Sequence, residues 1–495
     1  MSIDTLIKRL RDIMRGDAGV DGDAQRLSQI VWILFLKVFD NREEIWELEE
    51  DDYEGIIPEG YRWRDWATCE SVKDQLTGDE LIDFVNNDLI PTLRDLEVKG
   101  DDKRYWIVKD FMAEAINYMK DGVLLRQVVN LFDEVDFDDY EERHAFNDIY
   151  EELLKELQSA GRSGEFYTPR AITSFCVEKT DPQIGETVAD FASGTGGFLI
   201  DALEYMRKQV GTDITKNEIL KKSIHGVEKK QLPYMLCVTN MMLHGVEQPD
   251  IIHGNSLEKP VRDYTDDDKF DVILMNPPYG GSEKTDIQRN FPRELANSET
   301  ADLFMIEILY RLNENGRVAI VLPDGFLFGT DNSKTAIKKK LMDECNLHTI
   351  IRLPKSVFAP YTSIATNLLF FDKTGPTKET WFYRLDMPEG YKNFSKTKPM
   401  LSKHFDPVRE WWDNRIEIKD KKEDESMTET YKAKKYTFME IEANGYNLDL
   451  CDFPVKEEII LSPAETISNF ITKRESLDKK MDDKLREILD LLGVE

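Results

Sequence analysis

The apolar positions divide the chain into two regimes. Up to about residue 160 they recur at the three- and four-residue spacing of helices. Leu27, Ile30, Val31, Leu34, Phe35, Val38 and Phe39 predict a helix over about 26–41, capped by Asp21 or Asp23. It is apolar on more than one side, so it should be buried. The densely acidic stretch 43–54 that follows predicts a solvated face. Phe146, Ile149, Tyr150, Leu153, Leu154 and Leu157 predict a further helix over about 141–159.

From about 165 to 375 short apolar runs alternate with helical stretches. Strands are expected near 186–190, 223–228, 251–255, 271–275, 317–323, 349–354 and 366–372. Such alternation predicts an α/β domain with a doubly wound, mostly parallel sheet and ligands at the strand carboxyl ends. The stretch 375–445 is charged and irregular, with Trp381, Tyr383, Trp411 and Trp412, and 419–435 reads as solvated. At the end, Phe470, Leu477, Met481, Leu485, Ile488 and Leu492 form a stripe on a helix over 463–492, a face suited to a partner helix. The expected division is a helical domain at 1–160, an α/β domain at 161–445 and a helical tail at 446–495.

Composition narrows the function. The 495 residues suffice for two or three domains, and 41% apolar content suits a large core. Five scattered cysteines without a CxxC pair argue against a disulfide framework and a zinc site, and fit a reducing cytoplasm. The longest dense apolar run, 30–36, is too short to span a bilayer, and the amphipathic start lacks a signal-peptide core. The net charge of −31 opposes unaided binding to DNA phosphates. Either the substrate is not DNA or a partner supplies the phosphate contacts.

The stretch DVILMNPPYG, 271–280, carries the most specific chemistry. A buried strand ends at Asn276, and Pro277 and Pro278 stiffen the turn. The Asn276 side-chain oxygen and the Pro277 carbonyl can accept hydrogen bonds from a planar amino group, while Tyr279 stacks on the ring that bears it. The bland alternative is a proline turn that merely ends a strand. In DFASGTGGFLI, 190–200, Gly194, Gly196 and Gly197 permit close approach of a ligand. The loop lacks the third glycine of a dinucleotide fingerprint and has no P-loop lysine; a glycine turn without a ligand remains the alternative. Glu228 at the end of the second strand is placed for ribose hydroxyls, and Asn255 at the end of the third for an adenine amino group; each alone is a weak signal. Thr168 and Pro169 read as N-cap and first residue of a helix, whose start with Arg170 suits a carboxylate. An ordinary capped helix is equally compatible. Phe358 lies in a loop at the same end of the sheet and either flanks a base or packs locally. Lys334, Lys338, Lys339 and Lys340 either meet phosphate or form a solvated face. His225 and His253 fall within strands and read as structural, and no set of residues has metal-ligand spacing.

The Asn276–Tyr279 motif resembles the catalytic motif of amino-directed methyltransferases, which use S-adenosyl-L-methionine (AdoMet) to methylate adenine N6, cytosine N4 or, in one branch, a glutamine amide. GEFYTPR, DFASGTGGFLI, HGVEK, HGNSL and NPPYG, in this order, resemble the modification subunit of type I restriction-modification systems, an N6-adenine DNA methyltransferase. The resemblance is strong over about 140–375 and looser before it. It implies an AdoMet-dependent methyltransferase fold with a helical N-terminal domain. It implies AdoMet contacts at Glu165, Phe166, Tyr167, Thr168, Pro169 and Arg170, at Ser193, Gly194, Thr195, Gly196 and Gly197, and at Glu228; Asp190 matches the same loop. The target adenine would be flipped from double-stranded DNA and stacked on Tyr279 and Phe358, with Asn276, Pro277 and Pro278 forming the catalytic turn and no metal involved. The family also implies a cytoplasmic complex of two modification subunits with one specificity subunit, to which restriction subunits can add. There the specificity subunit reads the DNA, which accounts for the acidic charge. A protein-glutamine or RNA methyltransferase, or an inactive scaffold of the same fold, stays open at this level.

Overall fold

The alternating apolar runs form one twisted sheet, shown by a computed structural model that describes residues 3–51, 53–68, 75–100, 102–134, 168–359, 362, 364–395, 397–420, 429–451 and 463–492. The expected helix over 141–159 and Glu165, Phe166 and Tyr167 lie outside the described residues. Two units result: residues 1–418 with 432–451, and residues 419–431 with 452–495.

In the first unit the strands are β1 (Val188–Asp190), β2 (Ile224–Glu228), β3 (Asp250–His253), β4 (Phe270–Met275), β5 (Leu312–Pro323), β6 (Asn346–Arg352), β7 (Thr366–Asp372) and β8 (Glu379–Arg384). Their spatial order is β3-β2-β1-β4-β5-β7-β6-β8. β3, β2, β1, β4 and β5 are mutually parallel. β7 enters antiparallel between β5 and β6, and Tyr431–Thr437 adds antiparallel to β8. The sheet is therefore mixed rather than mostly parallel in its second half. The cause is the link from β6 to β7, whose described residues form no crossover helix, so the chain returns antiparallel. β1 bonds to β2 on one side and β4 on the other, Val188 facing both Ile224 and Val272. The strand order reverses there, which opens a crevice at the carboxyl ends.

The N-terminal helices pack on the helix Gln231–Leu243, which follows β2. The helix Asp23–Glu49 has Gly22 at its N-cap, with no side-chain cap, in place of the expected aspartate. Val31 to Leu36 are all fully buried, as an apolar pattern on every side demands. The helix continues into the acidic stretch, and Glu43 turns inward. Its carboxylate accepts from Ile57 N (3.0 Å), Tyr53 OH (3.0 Å) and Ile56 N. All three donors meet Oε1 while Oε2 is buried without a hydrogen-bond partner, and burial pushes the carboxyl up. The expectation of a solvated face over 43–54 fails at this residue. The same helix meets the helix Gln231–Leu243, which follows β2. Trp46 Nε1 donates to Glu247 (3.1 Å), and Gln231 Nε2 donates to the carbonyls of Asp110 (3.2 Å) and Phe111 (3.3 Å).

Two further expectations are corrected. Part of 375–445 is ordered on the sheet rather than irregular: the helix Asp406–Asp413 buries Trp411, and the Phe405 ring stacks on Phe175 at 4.2 Å. The lysines of the helix Asn332–Glu344 do not form a phosphate-facing row. Lys334 is buried against Asp302 (2.6 Å) and Glu299. Lys338 is fully buried, donating to the carbonyls of Leu327 (3.0 Å) and Gly329 (2.7 Å), and burial pulls its amine down to about 8. Lys339 and Lys340 pair with Asp343 and Glu344 on their own helix.

In the second unit the helix Pro463–Leu492 carries the predicted stripe. Phe470, Leu477, Met481, Leu485 and Ile488 are 49–66% exposed.

The Lys334–Asp302 pair joins two helices through a buried charge. Removing one partner leaves the other uncompensated, at a cost of about 3 kcal/mol. Lys334→Ala should therefore lower the midpoint of thermal unfolding, measured by circular dichroism. Lys339→Ala, at the exposed pair, should leave the midpoint in place.

Candidate active site

The glycine loop begins where β1 ends. Asp190 is buried and accepts from Ala192 N at 3.0 Å. Burial, reinforced by the neighbouring Glu228, raises its carboxyl to about 8 against the opposing pull of the Ala192 N–H. Gly194 and Gly196 adopt φ of +54° and +82°, the left-handed region where a Cβ is strained. A Cβ on Gly196 would lie 2.9 Å from Cys237 Sγ, whereas one on Gly194 would meet nothing within 4 Å. The loop thus presses on the helix Gln231–Leu243 beneath it and leaves open space above. That helix also grips the loop through Asn240 Nδ2, which donates to the Thr195 carbonyl at 3.1 Å. Ser193 is buried, its N–H donating to the Val227 carbonyl at 3.0 Å.

Glu228 closes β2. Its two carboxylate oxygens accept from Gly194 N (2.8 Å) and Lys230 N (2.7 Å). The acid at the strand end therefore ties β2 to the loop after β1. Asn255 lies beyond the end of β3, where its side chain accepts from Leu257 N at 3.3 Å and caps the turn Ser256–Glu258. His225 bonds Asp250 at 2.6 Å, and His253 stacks on Tyr234 at 4.9 Å, so both histidines serve the local structure.

Pro169, not Thr168, is the N-cap of the helix Arg170–Thr180, and it makes no side-chain cap bond. Arg170 Nη1 donates to the Gly197 carbonyl (2.8 Å) and to Asp201 (2.9 Å), whose other oxygen takes the Thr173 hydroxyl. The arginine thereby fastens this helix to the start of the helix Gly197–Val210, with part of its charge matched by Asp201.

β4 delivers Asn276 half-buried at its end. Its Nδ2 donates to Thr168 Oγ1 at 2.8 Å, and its Oδ1 accepts from the Tyr279 hydroxyl. The turn buries Pro277 and exposes Pro278, and Gly280 leaves it at φ +67°. Tyr279 is buried, and burial holds its hydroxyl far above its ordinary range, so it remains a donor. Phe358 is 1% exposed and meets Tyr279 with centroids 6.3 Å apart and planes at 87°. The two rings are therefore edge to face, not the parallel flanks expected of a base sandwich.

The crevice thus gathers Thr168, Asp190, Gly194–Gly197, Glu228 and Asn276 from the ends of adjacent elements. Sequence reasoning missed Cys237, Asn240 and Asp201. Cys237 and Asn240 stand three residues apart on one helix, hence on one face, a signal that the apolar character of 231–243 hides.

Residues 141–459 match the family model described as N-6 DNA Methylase, and residues 3–132 match that described as HsdM N-terminal domain. The chain is 49% identical over 491 residues to the type I restriction enzyme EcoEI methylase subunit of Escherichia coli, covering 99% of this chain and 98% of that one. It is 30% identical over 403 residues to the StySPI methylase subunit of Salmonella potsdam, covering 77% and 70%. A chain from a structural study of complex assembly in the type I R-M system superposes with a TM-score of 0.80 at 34% identity, over 99% of this chain and 98% of that one. With its glycine loop and its Asn-Pro-Pro-Tyr turn at neighbouring strand ends, the chain belongs to the N-6 DNA methylase family, as an adenine-specific methylase subunit of the type I restriction enzymes.

Proposed function

We propose that this subunit binds AdoMet in the crevice between β2, β1 and β4, and methylates N6 of an adenine flipped out of duplex DNA. One observation carries the reading: the glycine loop, Glu228 and Asn276 stand at the ends of three adjacent strands, which supports a cofactor and a target amino group meeting there. The residues fit the cofactor. The loop leaves open space on the Gly194 side, and the Glu228 carboxylate stands at the end of β2, held in place by the Gly194 and Lys230 N–H groups. The segment from Glu165 to Arg170 would take the methionine part with Ser193 to Gly197, Glu228 the ribose, and Asn255 the adenine ring. When bound, AdoMet supplies an electrophilic methyl group.

The chain's own work is positioning. Asn276 Oδ1 and the Pro277 carbonyl accept the two N6 protons, which directs the nitrogen lone pair out of the amino plane. In this structure Oδ1 already accepts from the Tyr279 hydroxyl. Entry of the base exchanges that bond for one from N6–H, so the amide is never left unpaired. The Tyr279 ring offers an apolar surface for the base, with Phe358 behind its edge. The N6 proton can pass to water after transfer, and no strong base is required. Catalysis in this scheme is orientation together with fixed dipoles.

DNA recognition belongs to a partner. At −31 the chain repels phosphate, and the basic helix Asn332–Glu344 directs its lysines to carboxylates and carbonyls of its own fold. A specificity subunit bound by two copies of this chain would read the target, and the exposed stripe of Pro463–Leu492 is the face offered to it. Restriction subunits would join the same cytoplasmic complex.

Asn276→Ala should slow transfer of labelled methyl from AdoMet to unmethylated genomic DNA by about 100-fold or more, the scale of losing a key transition-state contact. AdoMet affinity should stay within about twofold. A near-normal yield of N6-methyladenine from the variant would refute the role of the amide. Deleting residues 463–495 should abolish co-elution with the specificity subunit in gel filtration and leave AdoMet titration unchanged; full assembly without the helix would place the interface elsewhere.

A further inference from the structure

Thr168 stands where a helix cap is expected, yet its hydroxyl takes no part in capping; Pro169 occupies that position. Its Oγ1 instead accepts from Asn276 Nδ2, 108 residues away in the chain, at 2.8 Å. The other end of that amide accepts from the Tyr279 hydroxyl. The incoming amino group approaches Oδ1, whereas the bond from Nδ2 to Thr168 lies at the other end of the amide and stays in place when a base arrives. Without a fixed partner the terminal torsion of an asparagine is broad and roughly two-fold. Half a turn would present Nδ2, a donor, to the amino donor of the base, an arrangement with no hydrogen bond.

The carrier of that hydroxyl is itself fixed. Pro169 restricts the backbone of Thr168 to extended conformations. Arg170, two residues on, is fastened to the Gly197 carbonyl at 2.8 Å and to Asp201 at 2.9 Å. Gly197 begins the helix that follows the glycine loop. A short line of contacts therefore runs from the glycine loop through Arg170 and Thr168 to Asn276.

We infer that Thr168 is a positioning residue for methyl transfer: its hydroxyl sets the rotation of the Asn276 amide so that Oδ1 faces the target amino group, and it ties that orientation to the glycine loop. The inference rests on the reading of Asn276 as the group that orients the base.

The test uses the complex with the specificity subunit, unmethylated genomic DNA and labelled AdoMet, under single-turnover conditions, with AdoMet affinity measured by calorimetry. Thr168→Val keeps the shape and removes the hydroxyl; Thr168→Ser keeps the hydroxyl. At saturating AdoMet the valine variant should transfer about tenfold more slowly, the scale of one hydrogen bond; the titration separates any change in AdoMet affinity from the transfer step, and a circular dichroism spectrum like the parent's reports an intact fold. The serine variant should recover to within about threefold of the parent. Combining Thr168→Val with Asn276→Ala should be no slower than Asn276→Ala alone, because the hydroxyl acts only through the amide. A valine variant at full rate overturns the proposal. So do a loss of AdoMet affinity that accounts for the whole decline, a serine variant as slow as valine, or additive effects in the double variant. If Asn276→Ala itself transfers normally, the reading of the amide falls and this inference with it; if that variant is slow while Thr168→Val is normal, only the role of Thr168 falls.

Discussion

Strand β1 hydrogen-bonds to β2 on one side and β4 on the other, and the chain must wind outward in both directions from it. That reversal is what opens a crevice at the carboxyl edge, because the connections after β1 and β4 leave on diverging paths. Three residues of β1 suffice, since both neighbours pair with it in register. Each functional group then follows from strand length. β1 ends at Asp190 and yields the glycine loop, β2 ends at Glu228, and β4 ends one residue before Asn276. Slipping any one strand by a residue would turn its terminal side chain to the opposite face.

The glycine loop is held from two directions. From the side, Glu228 accepts the Gly194 N–H. From beneath, the helix Gln231–Leu243 places Cys237 against Gly196 and Asn240 on the Thr195 carbonyl. The same helix is held on its other flank by Gln231 on the carbonyls of Asp110 and Phe111, and it packs on the helix Asp23–Glu49. The N-terminal helices therefore contact the helix that forms the floor of the loop.

The chain revealed its strand ends because each apolar run is bounded by glycine, proline or a polar residue. Glu228 and Asn276 lie at strand ends as their sequence positions imply. What the pattern hid depends on partners distant in the chain. Glu43 reads as solvated until Ile56, Ile57 and Tyr53 supply donors. Lys338 reads as a surface charge until the carbonyls of Leu327 and Gly329 enclose it. Thr168 reads as a cap until Asn276, 108 residues on, takes its oxygen. The antiparallel entry of β7 is a matter of connection, to which apolar periodicity is blind. The edge-to-face contact of Tyr279 and Phe358 is likewise a rotamer outcome that no spacing encodes.

If the crevice is one methyl-transfer centre, a single ligand should touch both of its halves. The most direct measurement is a crystal structure with sinefungin, the AdoMet analogue that carries an amine in place of the transferable methyl. The account predicts the amino-acid part of the ligand against Gly194–Gly197, its ribose hydroxyls on Glu228, and its extra amine turned toward the turn Asn276–Tyr279, within about 3–4 Å of a polar atom there. A ligand bound away from the glycine loop, or one whose amine points away from Asn276 with Glu228 uninvolved, would contradict it.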